Sequence, residues 1–208
     1  MFKALLALMI GVGVLAGQYK AEPAGAPPPE LAPAVVQALA GQGTKIVGPD
    51  GQVLAEIWFC SAAPSGAKSS EPNVTLTTIP HGALLGAIRY SRQGQDRRGQ
   101  GIKPGVYTLR FSFFPEDGAH QGVAPQRDFL ILSPAAADTD PAANLDYETL
   151  MKLSRKASGT PHPAVLSVWK AETDFKPGLE KSGEHDWVLQ AKIGEVPVAV
   201  IVIGVAEG

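Results

Sequence analysis

Apolar and polar residues alternate most regularly along Tyr107-Thr-Leu-Arg-Phe-Ser-Phe113. Tyr107, Leu109, Phe111 and Phe113 fall on one face of an extended segment, and Thr108, Arg110 and Ser112 fall on the other. A repeat of two is the side-chain period of a β-strand, so the pattern predicts a strand with its aromatic face in a core. Pro104-Gly105 ahead of it supplies a turn, since Pro presets φ and Gly tolerates positive φ. The same reading places strands at 44–47 and 52–60, which flank Gly48-Pro-Asp-Gly51 as a hairpin with Val53, Ala55, Ile57 and Phe59 facing inward. Further strands are expected at 73–78, 83–90, 127–132 and 163–171. The last apolar stretch predicts a hairpin: Trp187, Leu189, Ala191 and Ile193 alternate, Gly194-Glu195 turns, and the Val/Ile run 196–205 suits a strand covered on both faces.

Two stretches follow a helical period. Leu31, Val35, Val36 and Leu39 predict a short helix within 30–40, closed by Gly41. Asp146 is placed to cap a second over 147–157, with Leu150 and Leu153 inward and Gly159 just past its end. Roughly eight to ten short strands and two short helices predict a mostly β fold: an antiparallel β-sandwich or jelly-roll-like domain. The 23 Gly and 18 Pro suit a fold of many turns.

The N-terminus changes the picture of where the chain works. Lys3, the apolar run 4–16 and the small residues of Val14-Leu-Ala16 form the pattern of a secretory signal peptide. The run is shorter than the roughly 20 apolar residues of a membrane span. The expected organisation is a signal peptide at 1–16, a flexible Ala/Pro/Gly-rich tether at 17–29 and a single domain at 30–208, exported to the periplasm or the extracellular space. Membrane attachment is expected only if the N-terminal segment stays uncleaved. Cys60 is the single cysteine, so no internal disulfide forms, and its place in Glu56-Ile-Trp-Phe-Cys60 predicts a buried thiol. A formal net charge of −2 gives no basic face for nucleic acid.

The chain carries no Gly-x-Ser-x-Gly elbow, no phosphate-binding glycine loop and no His-Glu-x-x-His. No catalytic residue is therefore assigned, and an enzymatic role is not expected. The loop between the aromatic strand and the next holds His120, Gln121, Arg127 and Asp128, which form the candidate ligand-binding set. The competing reading makes Arg127 and Asp128 structural partners of that crossover. His120, His162 and His185 sit in loops that could converge at one end of a β-domain, which makes them the candidate metal ligands, although none has the short spacing of a metal motif. A metal ion is accordingly the one cofactor considered. The basic, Gly/Gln-rich stretch 92–103 reads as a solvated surface loop.

Three segments carry a resemblance: Ile102-Lys-Pro-Gly-Val-Tyr-Thr-Leu-Arg110, Pro115-Glu-Asp-Gly-Ala-His-Gln-Gly-Val-Ala-Pro-Gln-Arg-Asp-Phe129 and Ser154-Arg-Lys-Ala-Ser-Gly-Thr-Pro-His-Pro163. In these the chain resembles a family of secreted bacterial β-sandwich proteins with no established activity, from about Glu56 to the C-terminus. The resemblance implies export and a β-domain and carries over no functional residue. Together these readings lead to an exported binding or accessory module acting on a protein or small-molecule ligand. The alternatives are a metal-binding protein or metal-dependent enzyme using the loop histidines, and a structural subunit of a membrane assembly held by an uncleaved N-terminal helix.

Overall fold

The chain turns where Gly and Pro allow it and runs extended where apolar and polar residues alternate. The computed structural model describes residues 18–116, 126–172 and 174–206. The expected signal peptide lies outside these. The strands are β1 (Lys20–Ala24), β2 (Gly43–Val47), β3 (Val53–Phe59), β4 (Leu84–Tyr90), β5 (Gly94–Gln95), β6 (Gly101–Ile102), β7 (Gly105–Phe113), β8 (Asp128–Pro134), β9 (Val165–Lys170), β10 (Gly178–Ser182), β11 (Asp186–Ile193) and β12 (Val196–Ile203). Two helices, α1 (Pro33–Ala38) and α2 (Tyr147–Ser158), lie between them. The β2–β3 turn forms as its residues dictate: Gly51 takes φ 76° and Asp50 Oδ1 accepts from Gln52 N at 3.0 Å. In α2, Asp146 accepts the Thr149 N–H at 2.8 Å as N-cap, and Gly159 ends the helix at φ 70°.

Ten strands form one antiparallel sheet in the order β1-β2-β3-β4-β7-β8-β9-β12-β11-β10, while β5 and β6 make a separate ribbon. The edge strands β1 and β10 come into contact with each other. Tyr19, just ahead of β1, packs edge-on against Trp187 of β11 with ring centroids 5.1 Å apart. The sheet therefore curls nearly closed, like a barrel. The expected mostly β, antiparallel fold is present, with pairing continuous across all ten strands: β9 joins β8 through residues 165–167 and β12 through residues 168–170. Alternation tells which side of a strand meets a core, and that is the same whether a sheet faces a second sheet or its own far side.

Three further stretches differ from the sequence reading. Part of the expected tether is β1, paired with β2 from Lys20↔Val47 to Ala24↔Gly43. Residues 73–78 form no strand; Asn73 takes φ 58° and the chain loops. The polar segment Gly-Leu-Glu-Lys-Ser at 178–182 forms β10 against β11.

Because neighbours run antiparallel, the strand ends divide into two sets. The upper end carries the β2–β3 turn, the β4–β7 connection with β5 and β6, the β8–β9 connection with α2, and the β10–β11 turn. The lower end carries the other connections, including α1 and the long β3–β4 segment. Ile57, Ile88, Leu109, Phe111, Leu130, Val198 and Val200 fill the interior. Leu31, Val35 and Leu39 around α1, with Val74, Leu76 and Ile79 from the β3–β4 segment, continue the same core and stopper the lower end. Each such fully buried side chain contributes roughly 1.5–3 kcal/mol by leaving water.

The polar face of β7 is also buried. Thr108, Arg110 and Ser112 are at most 1% exposed, because residues 135–146 and α2 cover that side. Arg110 spends all five of its donors there: on both carboxylate oxygens of Asp138 at 2.7 Å each, and on the carbonyls of Gly82 (2.7 Å), Ala143 (2.9 Å) and Asp140 (2.7 Å). Outside the sheet, β12 meets a second small cluster through Ala199 and Ile201, so its apolar run is covered on both faces as expected.

Candidate functional site at the upper mouth

The interior side chains give out before the upper end is reached, and a pocket of about 620 Å³ remains. Ile46, Ala55, Tyr90 and Val202 form its floor and walls. Tyr19, Gln93, Gln95, His185 and Val205 stand around it. The lining thus mixes apolar walls with hydrogen-bonding groups from Tyr19, Tyr90, Gln93, Gln95 and His185, which can orient a small molecule.

The β5–β6 ribbon owes its position over this pocket to particular residues. A Cβ on Gly94 would lie 2.5 Å from the Tyr90 ring, so only glycine lets the ribbon rest there. Asp96, 1% exposed, holds the ribbon turn together: Oδ1 accepts the Arg98 and Gln100 N–H groups at 3.0 Å each, and Oδ2 accepts Gln100 Nε2 at 3.1 Å. Burial still pushes its carboxyl above the ordinary range, against those hydrogen bonds and the nearby Arg98 charge. The ribbon is tied to the β10–β11 turn by the Arg97–Asp186 ion pair (3.1 Å) and to the C-terminal segment by Ala206 N donating to Arg97 O (2.6 Å).

Tyr90 gives the pocket its chemistry. Its ring is 4% exposed and stands edge-on to Tyr107 at 6.5 Å, while the Tyr107 hydroxyl donates to Lys103 O at 2.7 Å. The Tyr90 hydroxyl is buried without a hydrogen-bond partner among the described residues. Burial pushes its pKa up, and the Asp96 and Tyr107 charges push it further. Tyr90 therefore stays protonated and presents a donor. A buried donor left unmet costs roughly 1–3 kcal/mol, which an acceptor on a ligand would recover. The nearby Asp96 charge disfavours an anionic acceptor, so a neutral carbonyl or hydroxyl oxygen fits best.

The candidates named from sequence are dispersed. Arg127 and Asp128 lie at the lower end. Asp128 is fully buried and accepts the Thr75 N–H (3.0 Å) and the Leu76 N–H (2.9 Å). Arg127 donates to Phe114 O (2.7 Å) and Pro72 O (2.7 Å) and pairs with Glu71 at 3.2 Å. Both tie the β3–β4 segment to the start of β8, and Arg127 also holds the β7–β8 crossover at Phe114. His120 and Gln121 lie outside the described residues. His162 lines a hollow beside α2, whereas His185 lines the upper pocket. Among the described residues no group of three His, Cys, Asp or Glu side chains is placed to hold a metal ion.

Cys60 is buried, donates weakly to Leu84 O at 3.5 Å, and has its pKa raised to about 12 by burial, as the strand reading predicts. Among the described residues no helix is long and apolar enough to cross a membrane.

Sequence reasoning passed over Tyr90, which reads as one more apolar strand position, and took 92–103 for a solvated loop. The available signal was Gln93-Gly-Gln95 with Gly99 and Gly101, a run too rich in glycine and amide to be mere surface. Compared with known proteins, the chain matches no family model, no curated protein and no solved structure.

Proposed function

We propose that this chain is an exported, non-enzymatic binding module that takes a neutral small molecule, apolar in body and bearing a carbonyl or hydroxyl oxygen, into the upper pocket. The observation that carries this reading is the Tyr90 hydroxyl, buried and unpartnered at a pocket of about 620 Å³ with apolar walls and a polar rim. Recognition is by loops on a rigid frame: the β5–β6 ribbon and the β10–β11 turn supply the rim and the closed sheet supplies the floor. Export rests on the N-terminal sequence pattern and on the resemblance to secreted β-sandwich proteins, and it places the ligand outside the cytoplasm.

Nile red tests the reading, being neutral, apolar and a carbonyl acceptor. The expected result is saturable, one-to-one fluorescence enhancement that Leu54→Trp, at the pocket wall, abolishes. Tyr90→Phe should weaken binding about fivefold, the effect of one hydrogen bond of about 1 kcal/mol. Enhancement that neither variant alters, or none at all, refutes the proposed pocket.

A further inference from the structure

A second hollow lies on the outer face of the sheet beneath α2, and we propose that it binds a small aryl carboxylate. It is independent of the upper pocket. On this face β7 presents three polar side chains in sequence. Thr108 donates to Asp138, and Arg110 is saturated by Asp138 and three carbonyls. Ser112, the third, is 1% exposed, and its hydroxyl has no partner among the described residues. The covering segment thus satisfies two of the three and leaves open space at the last.

That space is about 170 Å³, walled by Phe129, Ile131 and Val165 from the sheet and Met151 from α2. An apolar cavity of about 150 Å³ accepts benzene. Phe114 and Phe129 stand at the hollow with centroids 5.5 Å apart and ring planes at 45°. A third ring extends such a tilted cluster favourably.

Cationic groups stand at the mouth. Arg155 lines the hollow and is held there by Nε donating to Pro161 O at 2.8 Å. It forms no ion pair among the described residues. Arg98 also lines the hollow, with Nη2 donating to Pro163 O at 3.4 Å. Its neighbour Asp96 is already engaged by Gln100 and two backbone N–H groups. Each guanidinium is thus anchored through one nitrogen, with its other N–H groups able to donate. Guanidinium to carboxylate is a planar, charge-assisted match. A ring with a carboxylate at one end and a hydroxyl at the other complements the hollow: ring on the phenylalanines, carboxylate on Arg155, hydroxyl on Ser112.

The test is a titration of the isotope-labelled full chain with 4-hydroxyphenylacetate, followed by amide NMR shifts. Saturable shifts are expected at Ser112, Met151 and Val165 and not at Tyr90. Replacing the carboxylate by an alcohol, or making Arg155→Gln, should weaken binding at least about tenfold. Arg155 is on the surface of α2, so the variant keeps its fold, which its unchanged spectrum away from the hollow would show. Ser112→Ala should erase the preference for 4-hydroxyphenylacetate over phenylacetate. No saturable shift up to about 10 mM, weaker than any affinity of use, overturns the proposal. Binding indifferent to Arg155→Gln, or shifts centred on Tyr90, also overturns it.

Discussion

The two ends of the sheet are built from the same kind of strand and finished in opposite ways. The lower end is stoppered: Leu31, Val35 and Leu39 enter from α1 and its flanks, and Val74, Leu76 and Ile79 enter from the β3–β4 segment. That segment has almost no regular structure, yet Asp128 holds its backbone by the N–H groups of Thr75 and Leu76. The upper end is finished by a glycine-rich ribbon with amide side chains, and about 620 Å³ stays open behind it. One end spends apolar side chains on closure. The other spends glycines on backbone placement and leaves a hydroxyl without a partner. The lower end therefore carries stability, and the proposed function sets recognition at the upper.

Substitutions can break this division. The largest expected effect is at the stopper: Leu76→Ala, removing a side chain 2% exposed, should cost about 2–5 kcal/mol in urea unfolding. Val205→Ala on the upper rim, 49% exposed, should change stability by no more than about 0.5 kcal/mol. Equal losses at the two positions would remove the contrast. Next is Asp128→Asn, which puts an amide where a buried carboxylate accepts from two residues, with an expected loss of about 1–3 kcal/mol by the same measurement.

A pH effect comes third. His81 stands at the lower end with its ring against Phe113 and Tyr147. Burial holds its pKa below 6.5, with Asp146 opposing. As pH falls, the unfolded chain takes up this proton before the folded one. The contribution to stability is then present above about 6.5 and is lost as pH drops through that value. The urea midpoint should fall between pH 7.5 and 5.5 more steeply in the parent than in His81→Phe. The comparison isolates His81 from Asp96 and Asp128, whose raised pKa values act with the opposite sign, lowering stability as pH rises. The smallest effect on stability belongs to Tyr90→Phe. Removing an unmet buried hydroxyl should leave the midpoint unchanged or slightly raised while weakening ligand capture. A large loss would mean the hydroxyl has a structural partner.

Much of the fold could be read from residue order, and the reasons are local. The aromatic face of β7, the Pro-Asp-Gly hairpin and the Asp146 and Gly159 caps of α2 each depend on residues within one turn or one strand. β1 escaped because its exposed edge position lets it be built from Lys-Ala-Glu-Pro-Ala, with no alternation to see. The burial of Arg110 escaped because its partners, Asp138 and the carbonyls of Gly82, Asp140 and Ala143, come from distant loops. The candidate site was the least legible part. Arg127 and Asp128 drew notice by their charge, which holds the β3–β4 segment at the lower end, while Tyr90 became distinctive only once the fold left its hydroxyl alone.

The strand order has a kinetic meaning. From β1 to β9 each strand of the large sheet can pair with its predecessor as the chain emerges, apart from the small β5–β6 ribbon. β10 cannot, and the β10–β11 hairpin stays apart from the rest, because β12 lies between it and β9. Until residues 196–203 have been made, the β9 edge stays open and the β10–β11 hairpin is not yet joined to the sheet that brings β10 to β1. The polypeptide is thereby kept from completing its sheet through most of its synthesis, and closure becomes a single late event set by one strand.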